Sequence, residues 1–377
     1  MRRKDWILIS FLIIFYLVIL FLFKRSIFSY RFDKKLIDRY FLSQDIPHEV
    51  KGKRLFLSDN EIYMATGYLY AKGADPSVYN FDHPPLIKYL FGYSILFLGS
   101  PYPVQVLFGV AVLLLTYYLG LRVFQSPGIS FFASFLLTID PLFLDISSAS
   151  LLDLGEAVFL LMYMISMLFF KRNFIFQGII LGLLAGAKSL VSPLFFVTIL
   201  LFYQWYKKEL KIKEYFLHLV VAFVAFSFLY TRTFLERGGE FNIIFFILKT
   251  VKYRIQHNIT SLPGSSLLLF LTGFFQTWWD EKGLLREKVW TVLWPISFLV
   301  MTIKIYTVFQ IKKLTIKDLL TLTPFLYLFY LGVQAPFARY FLIILPFSYL
   351  SLSEFIWSNL NKLILLKAKP GQTRRKK

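Results

Sequence analysis

The sequence predicts an all-α polytopic membrane protein, a bundle of about ten transmembrane helices with external amphipathic helices. Three observations predict it. Apolar residues make up 57% of the chain and charged ones only 17%, with a mean hydropathy of +0.61, far beyond a soluble domain. Several apolar runs approach or exceed the roughly 20 residues that a helix needs to cross a bilayer. When the runs alternate in direction, most basic clusters outside two long polar intervals fall on one side, as the positive-inside rule requires.

Residues 1–23 form the first transmembrane helix, a short basic start followed by an apolar run. The run is like the first half of a signal peptide, but no small-residue cleavage site follows, only Lys24-Arg25-Ser26-Ile27. It reads as an uncleaved span with a cytoplasmic N-terminus. Residues 24–85 form the first external loop. In its early part, Phe32, Leu36, Ile37, Tyr40 and Phe41 are spaced like the apolar face of an interfacial helix. Its Lys and Arg residues suit either anionic lipid headgroups or recruitment of an anionic lipid-linked donor.

Residues 86–231 hold a half-helix at 87–98 and spans at 103–124, 128–144, 153–170, 174–187, 191–206 and 215–230, with a second acidic loop near 145–156. Residues 232–288 form a large external loop with an Asn258-Ile259-Thr260 glycosylation pattern. It also carries a short apolar piece, 267–275, read as interfacial and ending near Trp278-Trp279. Residues 289–357 supply spans at 289–309, 319–333 and 337–357, and 358–377 is a basic cytoplasmic tail. Both termini are then cytoplasmic.

Composition removes several function classes. The chain has no Cys, so disulfide, thiol and Cys-metal chemistry are absent. Its four His residues lack ligand spacing, which argues against zinc, while a divalent metal held by carboxylates stays open. A net charge of +20 suggests nucleic acid in a soluble chain, but here it flanks membrane spans, and no nucleic-acid-binding module is visible. No internal repeat is apparent, which disfavours a transporter built from duplicated halves.

The polar interval at 59–90 draws the chain together. It sets Asp59, Glu61, Asp75, Asp82, His83 and Lys88 between apolar segments. Gly73, Asp75-Pro76 and Pro84-Pro85 forbid one continuous helix. A helix around 61–71 therefore gives way to a turn. A new helix starts at Pro84 or Pro85, with Asp82 near its N-terminus.

This interval resembles the first external loop of GT-C class membrane glycosyltransferases. The shared features are an acidic pair before a Tyr-containing helix, then Gly-x-Asp-Pro, then DHPPLIKYL. The nearest patterns are those of the protein O-mannosyltransferases and the aminoarabinose transferases of lipid A. The resemblance implies a GT-C bundle with external helices roofing a cavity. It also implies transfer of a mannose-like monosaccharide from a polyprenyl- or dolichyl-phosphate carrier to a protein, lipid or glycan acceptor on the external face. Membrane lipids are the other partners, nucleic acid is not one, and no cofactor is implied.

Such a transfer needs a carboxylate near the anomeric carbon to take the acceptor proton in an inverting displacement. The resemblance puts that role on Asp59 or Glu61, although Asn60 is interposed where the family has an adjacent Asp-Glu pair. Asp59 also suits a helix N-cap. Asp153, in SSASLLDLGEAVFLL, matches the Asp of the family's second loop; the family's Arg is Ser148 here. Asp153 equally suits a cap, and Glu156 lies one turn on. Lys88 and Lys188 are candidate partners for a lipid phosphate, or else lysines reaching to headgroups. Asp82 and His83 are candidate substrate contacts, with His83 also suited to fixing the turn. Arg339-Tyr340, opening the last span, offers a guanidinium fork for phosphate. His257 and Trp278-Trp279 are similar to the family's last large loop, near an acceptor. Two rivals stay beside this reading. One is an oligosaccharide or polymer-assembly transferase of the same fold; the other is a non-catalytic lipid-phosphate-binding protein or transporter.

Overall fold

A computed structural model describes residues 3–46, 54–170, 173–258, 262–276, 283–311 and 313–367. The chain opens with α1 (Arg3–Phe23), α2 (Ser26–Ser29) and α3 (Lys35–Phe41). The polar interval at 59–90 supplies α4 (Asp59–Ala71) and leads into α5 (Leu86–Leu98). The central bundle is α6 (Tyr102–Phe124), α7 (Pro127–Ile139), α8 (Pro141–Ser147), α9 (Asp153–Phe169), α10 (Phe174–Ala187), α11 (Val191–Tyr206) and α12 (Ile212–Phe228). Next come α13 (Thr231–Arg237), α14 (Ile243–Asn258), α15 (Ser265–Thr272) and a small antiparallel hairpin of β1 (Phe274–Gln276) and β2 (Leu284–Arg286). The described chain closes with α16 (Leu293–Ile311), α17 (Ile316–Leu331) and α18 (Leu345–Lys367).

This is a multi-pass integral membrane protein. Among the described residues, α1, α6 and α16 are each long and apolar enough to cross a bilayer. The bent pairs α7–α8 and α12–α13 bring the number to five by length and composition. On α1, Trp6, Ile7, Phe11, Ile14 and Leu22 face outward, as a lipid-facing helix requires. The opposite pattern marks α9, whose side chains are nearly all buried, so that it forms the axis of the bundle. Against α9 packs α10, and against α10 packs α12. A Cβ built on Gly178 would meet the His218 carbonyl, and one on Gly182 the Ala222 carbonyl. This stripe of small residues lets the two backbones close to a distance no larger residue permits.

The expected helix at 61–71 is α4 and the expected restart after Pro85 is α5. They pack closely through Gly67 and Gly92, where a Cβ on either would strike the backbone of the other. The helix expected from Phe32 to Phe41 is only α3, and its apolar side chains Leu36 and Tyr40 are covered by the protein itself. Arg31 reaches back to the Leu98 carbonyl at 2.7 Å, tying this stretch to the end of α5.

Two expectations are corrected. The span at 128–144 is broken by 66° between α7 and α8. Pro141 has no N–H for the helix, and Asp140 caps the new one by accepting from Leu142 N at 2.8 Å and Phe143 N at 3.1 Å. Buried Asp140 also accepts from Trp294 Nε1 at 3.0 Å and from Tyr349 Oη, which ties the break to α16 and α18. The last helix starts at Leu345, not 337, with Pro346 in its first turn, and Ala338–Phe341 is a separate 3-10 turn. The apolar piece at 267–275 packs partly into the bundle, with Leu268 and Phe274 exposed. Leu269 and Phe270 are fully buried, with Phe270 stacked on Trp294 at 5.6 Å.

Candidate functional site

At the start of α4 two carboxylates separate. Glu61 closes the helix end, its Oε2 accepting from Ser58 N at 3.0 Å and Ser58 Oγ at 2.9 Å, while Oε1 pairs with Arg39 at 2.9 Å. Ser58, not Asp59, is therefore the cap residue. Asp59 is left to turn away, and its Oδ2 meets Arg339 Nη1 at 2.5 Å. Burial alone would raise the Asp59 carboxyl. The Arg339 guanidinium, with His83 and Arg254 behind it, outweighs burial and holds Asp59 below the usual carboxylate range. Glu61 is also held low; Ser58 and Arg39 outweigh its burial.

A second pair lies beside the first. Asp153 is the first residue of α9, but Leu152 occupies the cap position. Its carboxylate instead accepts from Lys188 Nζ at 2.6 Å, and Glu156 Oε2 lies 3.3 Å from the same ammonium. Glu156 is anchored in turn by Ser192 Oγ. Lys188 stands 4.7 Å over the Tyr340 ring, and the Arg339 guanidinium lies 5.7 Å from that ring's centre. Tyr340 is thus sandwiched between the cations of the two pairs.

Asp82 and His83 complete the cluster from the turn before α5. The His83 tautomer with its proton on Nδ1 faces Asp82 Oδ2 at 3.2 Å and leaves Nε2 to accept from Tyr63 Oη at 2.9 Å. Burial pushes His83 down to about 4, with Arg254 adding to the effect and Asp82 opposing it. Arg254 of α14 donates from Nε to the Asp82 carbonyl at 3.1 Å, and its Nη2 lies 3.5 Å from Asp82 Oδ2. Burial would raise Asp82, but His83 and Arg254 keep it far below the usual range.

Lys88 belongs elsewhere, and its expected position facing a phosphate is corrected. Its side chain is fully buried. The ammonium donates to the Asn80 carbonyl at 2.8 Å, the His83 carbonyl at 2.7 Å, Asn80 Oδ1 at 3.1 Å and Tyr70 Oη at 3.2 Å. Neither does it reach to headgroups. It pins the turn, and Asp45 holds the same turn through Asn80 Nδ2 at 2.9 Å and Tyr40 Oη at 2.6 Å. Asp75, of the Gly-x-Asp-Pro signature, fastens the turn to α13 through Thr233 at 2.6 Å and Arg237 at 2.9 Å.

A cavity of about 660 Å³ opens beside Asp59 and Arg339, walled by Phe56, Leu142, Ile146 and Phe337 and rimmed by Asp145 and Glu287. That size suits a small-molecule site. A second cavity, about 50 Å³, lies on the other side of Tyr340 against Lys188, Arg254 and Glu156. Among the described residues no group of three His, Asp or Glu is placed to hold a metal ion.

The structure therefore gathers Asp59, Asp82, His83, Asp153, Lys188, Arg339 and Tyr340; Glu61 turns to Ser58 and Arg39, and Lys88 lies behind the turn, bonded to the His83 carbonyl. His257 lies on α14, but its side chain, like Trp278, Trp279, Ile259 and Thr260, is outside the described residues. Arg254 and Tyr63 are the residues that sequence reasoning missed. Arg254 stands in the KYRIQHN segment, where a cation near the singled-out His257 was a usable signal.

No family model and no curated protein sequence matches the chain. Among solved structures, it is similar to ArnT from Cupriavidus metallidurans bound to undecaprenyl phosphate, with a TM-score of 0.59 and 16% identity over 89% of this chain and 62% of that one. The apo state of the same protein gives a TM-score of 0.56 and 15% identity over 88% of this chain and 61% of that one. The chain thus spans about three fifths of the length of the proteins it matches. At this identity the likeness is one of fold, and the fold is the GT-C bundle that the first loop resembled.

Proposed function

We propose that this protein is a membrane glycosyltransferase that moves one sugar, mannose-like in class, from a polyprenyl-phosphate carrier such as dolichyl phosphate to an acceptor hydroxyl on the external face. The acceptor is a protein, lipid or glycan. One observation carries the reading: the Asp59 carboxylate, paired with Arg339 on the wall of a cavity, with Lys188 and Arg254 lining the smaller cavity nearby. Sugar transfer from a lipid phosphate requires this pairing of a base with a phosphate-binding set of cations. Carriage on a polyprenyl phosphate is supported by the shared fold with an ArnT structure that holds undecaprenyl phosphate.

The acceptor oxygen attacks the anomeric carbon on the face opposite the phosphate, and the bond from that carbon to the phosphate oxygen breaks. The lipid phosphate leaves with the electron pair, and Asp59 takes the acceptor proton. Arg339 keeps Asp59 ionised at rest. A phosphate that draws the guanidinium fork to itself releases the carboxylate and raises its basicity as the donor seats. Asp153 and Glu156 hold Lys188 in place for the same phosphate. The ionisable residues gather at one end of the bundle, where a surface reaction on a lipid carrier needs them; transporters place them near the midplane.

The test is transfer in purified membranes from radiolabelled dolichyl-phosphate mannose and glucose, wild type against Asp59→Asn. The wild type transfers label, and the variant falls by about 10²–10⁴-fold with its thermal midpoint nearly unchanged. Full activity in the variant would move the base to Asp153. Lipid binding with no transfer from either donor, in the wild type, would favour another donor or the non-catalytic reading.

A further inference from the structure

The end of the bundle away from Asp59 holds another cavity, of about 430 Å³, between α16, α17 and α18. Val289, just before α16, lines the Asp59 cavity, whereas Lys304 lies farther along that helix, about 16 Å past Leu293 at 1.5 Å per residue. Lys304, Lys313 and Lys317 line this cavity. Ile303, Val308, Ile311 and Phe355 also line it.

The carboxylates here are already engaged. Asp318 closes the start of α17, accepting from Thr315 N at 2.8 Å and Thr315 Oγ1 at 2.6 Å. Glu354 faces Lys304 at 3.0 Å and accepts from Ser358 Oγ at 3.2 Å. The Lys304 side chain is 14% exposed, and Glu354 is its one ion-pair partner among the described residues. Lys313 and Lys317 have no carboxylate partner among the described residues; Lys317 instead lies 5.7 Å over the Phe124 ring at the end of α6. An ionisable side chain set within a spanning helix marks a site rather than a filler.

We propose that this cavity binds the phosphate headgroup of an anionic phospholipid in the leaflet opposite the Asp59 site. The lysines provide the charge, and Ser358 and Asn359 provide polar contacts beside them. Ile303 and Ile311 open onto the outer face of the bundle, being 43% and 65% exposed, so an acyl chain continues from the headgroup along apolar surface. A soluble phosphate ester has no use for that wall. Basic pockets between transmembrane helices hold anionic headgroups for the same physical reasons.

The experiment is native mass spectrometry of the full chain in detergent, titrated with phosphatidylglycerol or phosphatidylcholine. The wild type retains phosphatidylglycerol in preference. Lys313→Ser/Lys317→Ser, at two exposed positions that the fold does not need, lowers that retention by about tenfold or more, from about 1 kcal/mol per lysine. A control pair at the same end, Lys208→Ser/Lys213→Ser, leaves it unchanged. Equal retention of both lipids, or an equal loss in the control pair, would overturn the proposal. So would displacement of phosphatidylglycerol by millimolar inorganic phosphate, which would assign the cavity to a soluble phosphate ester.

Discussion

Two polar clusters meet around α4 and the start of α5, and they behave in opposite ways. Around Lys88 every group is turned inward: one ammonium, two carbonyls, an amide and a tyrosine hydroxyl satisfy one another. Around Asp59 the charges stand as alternating pairs, Asp59 with Arg339 and Asp153 with Lys188, on the walls of two cavities. The first arrangement fixes a shape. The second holds charges that an anionic ligand can redistribute. A lysine in a suggestive motif is therefore no guide to which of these it joins; its neighbours in space decide.

The sharpest way to break the comparison is Lys88→Met. It leaves several buried acceptors unpaired at about 1–3 kcal/mol each, so a loss of about 3 kcal/mol or more is expected, read as a large drop in thermal midpoint in detergent. Donor binding by the protein that still folds should be unchanged. A stable variant that had lost donor binding would put Lys88 in the site.

Acid probes the seam between the clusters. His83 is nearly buried and its value falls from the ordinary 6.5 to about 4, so the folded state holds it neutral. A depressed value stabilises the fold above pH 6.5, and that contribution is lost as pH falls through the window from 6.5 to 4. The loss is on the order of 3 kcal/mol at most. Thermal midpoints measured across that window should fall, and His83→Gln should flatten the slope. An unchanged slope would show that His83 does not couple to folding.

Arg339→Lys tests the site cluster at smaller cost. It keeps the charge beside Asp59 and loses the fork, so a donor KM raised about tenfold with a small change in midpoint is expected. A loss confined to kcat would place Arg339 at the leaving step instead. The smallest effect belongs to Glu61→Gln. The helix end keeps an acceptor and the half-exposed Arg39 pair is lost, so stability changes by less than about 1 kcal/mol and transfer by less than a few-fold. A loss as large as that of Asp59→Asn would return the base role to Glu61.

The sequence by itself determined the membrane class, the helix α4, the turn at Gly73 to Pro85 and the restart at α5. Each depends on properties carried within a few residues: apolar run length, proline's missing N–H and the capping pattern of Ser58 and Glu61. The same local logic read Asp59 and Asp153 as possible caps, because a carboxylate at a helix start has the same signature whichever way it turns. Only the tertiary structure turned them toward Arg339 and Lys188, which are far away in the chain. It also drew Arg254 in from α14 and sealed Lys88 away. Charge partners are chosen by chain closure and burial, since an unpaired charge in a low-dielectric interior is costly enough to select its neighbour. No periodicity within a single helix encodes that choice.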